Sequence, residues 1–181
     1  MAPATETRLS GRVIEDLRTL ALVAATMTMG LMAGHFALYA HTIMPGLGTT
    51  DDRTFVGSFQ ALDRAIINPW FMATGFLGSL AFTALVVALS LGSDVRRLLP
   101  WVVAALILYL VAFVITIAVH LPLNDALKAA GSPDRIADLG QIRQAFDEAR
   151  WVRWNVVRTV ATTAAFGCLA WSLVLQGRVS A

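Results

Sequence analysis

The chain has 181 residues, enough for one domain, and is 57% hydrophobic but only 14% charged, against roughly a quarter charged in ordinary soluble domains. So few polar residues cannot cover a soluble surface, and the composition reads as that of a membrane protein. A formal net charge of +2 with no basic block gives no sign of nucleic-acid binding.

In chain order, the head Met1–Arg18 carries acids as well as arginines before an apolar stretch far longer than a signal-peptide core. The first apolar segment is therefore expected to be retained. Four runs, about Leu20–Pro45, Trp70–Gly92, Leu98–His120 and Val156–Gln176, are long enough to cross about 30 Å of hydrocarbon, which takes about 20 helical residues. In lipid each must be helical, because no water satisfies a bare backbone. The expected fold is all-α: a single-domain (1–181) integral membrane four-helix bundle, its second and third spans joined as an antiparallel hairpin by the short turn Ser93–Arg97. Cys168, the single cysteine, lies in the last run and reads as a small packing residue. Alone it excludes an intrachain disulfide and a thiolate-rich metal site.

The first and third connections are longer and patterned as short amphipathic helices. In Asp51–Ile67, Phe55, Phe59, Leu62 and Ile66 recur at helical spacing, with Asp52, Arg53, Asp63 and Arg64 largely off that stripe. Asp134–Arg150 places Ile136, Leu139, Ile142 and Phe146 on one side. Both helices are expected to lie along the membrane surface or cap the bundle. The pair Arg96–Arg97 in its short loop, with Arg8, Arg12 and Arg18 before the first span, favours cytoplasmic termini, the expected site being the plasma membrane.

Topology puts the polar residues of all four spans at one end. In the last span Trp151, Trp154, Asn155, Arg158 and Thr162 are spaced by three and four, which reads as one helix face. Arg158 lies about a turn inside, where a lipid-facing charge costs at least ~2.5 kcal/mol, so it is expected to point inward. A snorkelling arginine beside an interfacial aromatic belt is the plainer alternative. Tyr109, Phe113, Thr116 and His120 share a face of the third span. His120 is either a general base or an interfacial histidine bonded to a carbonyl, and Asn124 after it is placed to cap local backbone. In the first span His35, Tyr39 and Thr42 share a face, His35 reading as a structural hydrogen-bonder. His41 lies about 120° around the helix from His35. Gly30 and Gly34 form a GxxxG, readable as a close helix contact within the chain or between chains. Asn68-Pro69 reads as a helix start, and Asp63 and Arg64 as a solvated face or a pocket edge.

The stretches GLMAGHFALYAHTIMPGL (Gly30–Leu47), FQALDRAIINPWF (Phe59–Phe71) with Gly75 and Gly78, PLNDAL (Pro122–Leu127) and FDEARWVRWNVVRTVATTAA (Phe146–Ala165) resemble the anthrone oxygenase-like family of small four-span membrane proteins. The combination NPxF, PLN and WxxWNxxR is what makes the resemblance specific. It implies oxidation of an activated aromatic carbon by molecular oxygen, anthrone to anthraquinone, without a dedicated redox cofactor. It carries over Asn68, Pro122, Asn124, Trp151, Trp154, Asn155 and Arg158 as motif positions; at His120 the family more often has Asn.

The enzyme expectation has His120, or else His41, removing a proton while Arg158 and Asn155 stabilise the oxyanion. Trp151 and Trp154 give stacking surface, and Tyr39, Asn68, Thr116 and Asn124 complete the substrate-binding set. No metal site is expected; a metal or haem held by His35, His41 or His120 is the alternative. The competing expectation is a non-catalytic binder of a lipid or small molecule, or an accessory subunit, with the tryptophans as interfacial anchors. Expected partners are membrane lipid and a hydrophobic aromatic molecule, and a homo-oligomer stays open.

Overall fold

A computed structural model describes residues 3–92 and 96–180, with side chains for 11–92 and 96–178. The predicted turn Ser93–Arg97 falls largely outside the described residues. Among the described residues the chain is helical without strands, and four helical stretches are long and apolar enough to span a bilayer: Gly11–Gly48, Phe71–Leu89, Leu99–Ala129 and Leu139–Arg178. The chain is a multi-pass, all-α four-helix bundle.

Helix α1 (Pro3–Leu38) continues through a π-helical segment, Tyr39–Ile43, into α2 (Met44–Gly48). After α3 (Asp52–Ile66), a π segment Phe71–Phe76 leads into α4 (Leu77–Leu89). Helix α5 (Leu99–Ile115) passes through a third π segment, Thr116–His120, into α6 (Leu121–Ala129). Helices α7 (Leu139–Phe146) and α8 (Glu148–Ser180) follow. The π turns carry i→i−5 bonds, from Met44 N to Tyr39 O, Leu77 N to Met72 O and Leu121 N to Thr116 O.

The helices of the first and third spans do not stop at Pro45 and His120 but run on to Gly48 and Ala129. Pro45 and Pro122 explain both the misreading and the first and third π turns. A proline removes its own N–H and crowds the carbonyl four residues earlier. For Pro45 and Pro122 those carbonyls belong to His41 and Ala118, each the middle residue of a π segment. Widening the turn there lets the helix pass the ring instead of ending.

Of the two amphipathic connections, α3 forms as expected. Asp51 caps it, accepting from Thr54 N at 2.9 Å, and this bond holds its carboxyl below the usual carboxylate range. The second, Asp134–Arg150, is not one helix. Asp138 caps α7 by accepting from Gln141 N at 2.9 Å, and Asp147, at φ 51°, ends α7 in the left-handed region, which Asp tolerates better than most residues. Asp147 then accepts from Arg150 N at 3.1 Å, starting α8.

The two spans of the predicted hairpin pack together: the Phe76 and Phe113 rings stack at 4.8 Å and Tyr109 donates to Phe76 O at 2.6 Å. The main core joins Leu22, Met29 and Met32 of α1 with Val86, Val102, Ala165 and Leu169. A second core at one end joins Met44, Phe55, Phe59, Leu127, Phe146 and Trp151, so α3 and α7 cap the bundle. Arg143 fastens this cap, donating to Thr50 O (2.8 Å), Gly48 O (3.1 Å) and the carboxylates of Asp52 (3.1 Å) and Glu148 (3.2 Å). Met27, Leu31, Ile107, Val114 and Val160 are exposed around the bundle, as a lipid-facing belt must be. Exposed tryptophans mark both ends, Trp70 and Trp154 at the capped end and Trp101 against Trp171 at the other.

Candidate functional site

A cavity of about 200 Å³ lies where the two cores meet. All three π segments contribute to its wall: Tyr39 from the first, Phe71, Met72 and Phe76 from the second, Thr116 and His120 from the third. The wider turns change which side chains face inward, and single π turns recur at functional sites. His35, Phe36, Phe59, Asp63, Asn124, Trp151 and Arg158 complete the polar and aromatic lining, with Ile66, Ile67 and Leu121 on the remaining side. Ile67 and Leu121 are exposed, so the cavity opens to the outer surface through an apolar mouth.

Arg158 is the dominant charge, 5% exposed. Nη1 donates to Thr116 Oγ1 at 3.0 Å and Nη2 to Asn155 Oδ1 at 2.8 Å, while Nε has no hydrogen-bond partner. The guanidinium lies 4.3 Å over the Phe36 ring and 5.6 Å from that of Trp151. No carboxylate pairs with it among the described residues. Asn155 does not line the cavity. It is fully buried behind Arg158, its Nδ2 donating to Phe36 O at 3.1 Å. Thr116 is oriented too: its hydroxyl donates to Ala112 O at 2.9 Å, leaving a lone pair for the arginine.

On another wall Trp151 Nε1 donates to Asn124 Oδ1 at 2.9 Å, and Asn124 Nδ2 donates to Asp63 Oδ1 at 2.7 Å. Lys128 completes this chain, its Nζ 2.8 Å from Asp63 Oδ2 and 2.9 Å from Asp125. Asn124 therefore bridges side chains instead of capping backbone. Asp63 is buried, not part of a solvated face; it follows Phe59 by one helical turn.

The remaining expected site residues divide. Tyr39, Thr116, Trp151, His120 and Arg158 converge on the cavity. Trp154 is 36% exposed and off the inward stripe, which is Trp151, Asn155, Arg158 and Thr162. Asn68 caps the second span, accepting from Phe71 N at 2.9 Å, and does not line the cavity. His41 is exposed, its Nδ1 2.6 Å from Thr42 Oγ1. His120 is buried in the wall with both ring nitrogens facing backbone carbonyls, Nδ1 3.4 Å from Ile115 O and Nε2 3.2 Å from Trp151 O. Among the described residues no group of three His, Cys, Asp or Glu side chains is arranged to hold a metal. The cavity's aromatic wall leaves little trace in the sequence: Phe36, Phe59, Phe71 and Phe76 look like any apolar positions, and only Pro45 and Pro122 hint at two of the three π turns.

Fold and site together define a small multi-pass membrane protein with a mostly apolar, cation-bearing cavity under one end of its bundle. By sequence the chain matches the anthrone oxygenase family over residues 68–168, more than half its length, and belongs to that family. The match includes Thr116, His120, Asn124, Trp151, Asn155 and Arg158 and leaves out the first span. No curated protein and no solved structure matches the chain significantly.

Proposed function

We propose that the chain is a membrane oxygenase acting on a flat aromatic molecule with an enolisable or phenolic oxygen, of the anthrone type. The observation that carries this reading is the Arg158 cation, buried at an aromatic cavity and held only by neutral partners. A buried cation without a counter-charge is costly, and an oxyanion on the ligand would supply that charge. Family membership supports an oxygenase-type role. The size also suits: roughly 150 Å³ takes benzene, so about 200 Å³ with an open apolar mouth admits a somewhat larger aromatic from the bilayer.

In this reading, loss of a proton from the ring CH₂ that lies across the central ring from the carbonyl, and is conjugated with it through the flanking rings, leaves an enolate, whose oxygen Arg158 binds. Electrons pass from the enolate to O₂. Overall the CH₂ and one O₂ become a carbonyl and one water, with no dedicated redox cofactor required. Thr116 and Asn155 fix the guanidinium, and the aromatic wall keeps water from the anion. The proposal places the protein in the plasma membrane with both termini cytoplasmic, supported by the arginines flanking the first span and at Arg96–Arg97.

The test is oxygen uptake by the purified, membrane-reconstituted protein given an anthrone. The expected result is one O₂ consumed per quinone formed, reduced about 100-fold in Arg158→Met, the scale of losing an oxyanion donor. Saturable binding of fatty acid or anthrone with no oxygen uptake would sink the oxygenase reading in favour of a lipid or small-molecule binder.

A further inference from the structure

The three histidines differ in what their ring nitrogens meet. At His120 both nitrogens face backbone carbonyls, at 3.4 and 3.2 Å. A neutral imidazole carries one N–H and one lone pair, so one carbonyl accepts its proton and the other confronts its lone pair. Neither nitrogen is offered to a ligand. His41 is exposed and engaged with Thr42.

His35 is different. It lines the cavity, and its ring sits among those of Phe71 (5.0 Å between centroids), Tyr39 (5.1 Å) and Phe36 (5.9 Å). Those rings fix its position by packing alone. Among the described residues neither of its nitrogens has a hydrogen-bond partner, in contrast to the other two histidines. Arg158 lines the same cavity, so the imidazole and the cation face one ligand space. That pairing suits proton abstraction from carbon, with a base for the carbon-bound proton and a cation for the oxygen that receives the charge in one cavity.

We infer that His35, not His120, is the proton acceptor of the cavity; this rests on the cavity being the site for an enolisable aromatic. The lone pair of one His35 nitrogen takes the proton of the ring CH₂. The C–H bond breaks, an N–H bond forms, and the C–H electron pair moves into the enolate, whose oxygen lies at Arg158. The ring carbon of the enolate then bonds to O₂, the peroxide takes the His35 proton, and loss of the carbon's second proton with cleavage of the O–O bond leaves the carbonyl and one water. His120 instead positions the wall, joining α5 to Trp151 through the carbonyls it faces.

The step can be isolated without oxygen. An anthrone added anaerobically to the reconstituted protein is followed by the long-wavelength absorption of its enolate. Binding of the corresponding quinone, which has no proton to lose, reports the integrity of the cavity separately. The expected result is that His35→Gln binds quinone as the wild type does but forms enolate about 100-fold more slowly, the lower range for losing a general base. Enolate formation at the wild-type rate in His35→Gln overturns the assignment and leaves the oxygenase reading standing. Loss of quinone binding makes His35 a packing residue and also overturns it. If the wild type binds neither compound, the reading of the cavity falls first, and the role of His35 with it.

Discussion

Asn155 holds Arg158 from one turn away on the same helix, its carboxamide oxygen accepting from Nη2 at 2.8 Å while its NH₂ reaches across to Phe36 O at 3.1 Å. The amide is thereby fixed in one orientation, oxygen toward the cation. It ties the first span to the fourth at the level of the cavity and holds a guanidinium that no carboxylate pairs with among the described residues.

This arrangement makes the two residues unequal under mutation. Asn155→Leu leaves the buried guanidinium short of an acceptor and should cost about 1–3 kcal/mol. Arg158→Met removes the charge itself and should be neutral or stabilising, as replacing buried charges with apolar groups often is. The double variant should recover most of what Asn155→Leu loses. Thermal unfolding of the four proteins in one detergent measures the cycle; additive effects would mean that Asn155 does not act through Arg158.

A second prediction concerns the wall linking α3, α6 and α8. Asn124 serves Trp151 and Asp63 at once, at 2.9 and 2.7 Å. Asn124→Ala should cost about 1–3 kcal/mol by stranding the partly buried indole N–H and an Asp63 oxygen. Trp151→Phe removes one of the same bonds, so the two effects should sum to more than the double variant shows. Full additivity in thermal unfolding would count against the relay.

Gly78 offers a test of the π segment in the second span. A Cβ built there would come within 2.6 Å of the Ala73 carbonyl oxygen, a backbone atom that cannot swing aside. At Gly30 the nearest atom is 3.0 Å away on the Phe166 ring, a side chain at the lipid-facing surface. Gly78→Ala should therefore lower the melting temperature clearly more than Gly30→Ala. The same contact settles half of the GxxxG: Gly30 meets the fourth span of its own chain, while nothing lies within 4 Å of a Cβ at Gly34.

Hydropathy makes the four spans legible, and the periodicity of Phe55, Phe59 and Ile66 makes α3 legible, because burial in lipid or against a cap leaves a direct trace in residue type. Topology alone puts Thr116, Trp151 and Arg158 at one end. What escapes is rotational. Helical spacing groups Trp154 with Trp151, yet an offset of three residues from an inward position places it at the rim. Asp63 looks solvated because its partner, Lys128, is distant in sequence. His35 reads as a structural hydrogen-bonder but makes no such bond among the described residues, since a sequence cannot show which nitrogens go unserved. The break at Asp147 is hidden inside a continuous amphipathic pattern.

The prolines give the last prediction. Pro122 stands two residues beyond the π segment Thr116–His120, and in an ordinary α turn its ring would crowd the Ala118 carbonyl at the segment's centre. With Pro122→Ala the chain regains an N–H and no longer has a ring that an α turn would crowd, so an ordinary α turn becomes available where the π turn is now. Proline is about 3 kcal/mol worse than alanine within a helix, so part of that should return as a higher melting temperature. Closing the π turn would rotate Thr116 and His120 relative to α6, taking the Thr116 hydroxyl from Arg158 and the imidazole from Trp151 O. The expected outcome is thus a more stable protein with a poorer cavity: raised thermal stability, weaker quinone binding and reduced oxygen uptake, measured on one preparation. If Pro122→Ala were more stable and bound quinone unchanged, the wide turn would be only an accommodation of the proline ring. A fall in both would instead mean that the third span is packed around the widened turn and cannot close it.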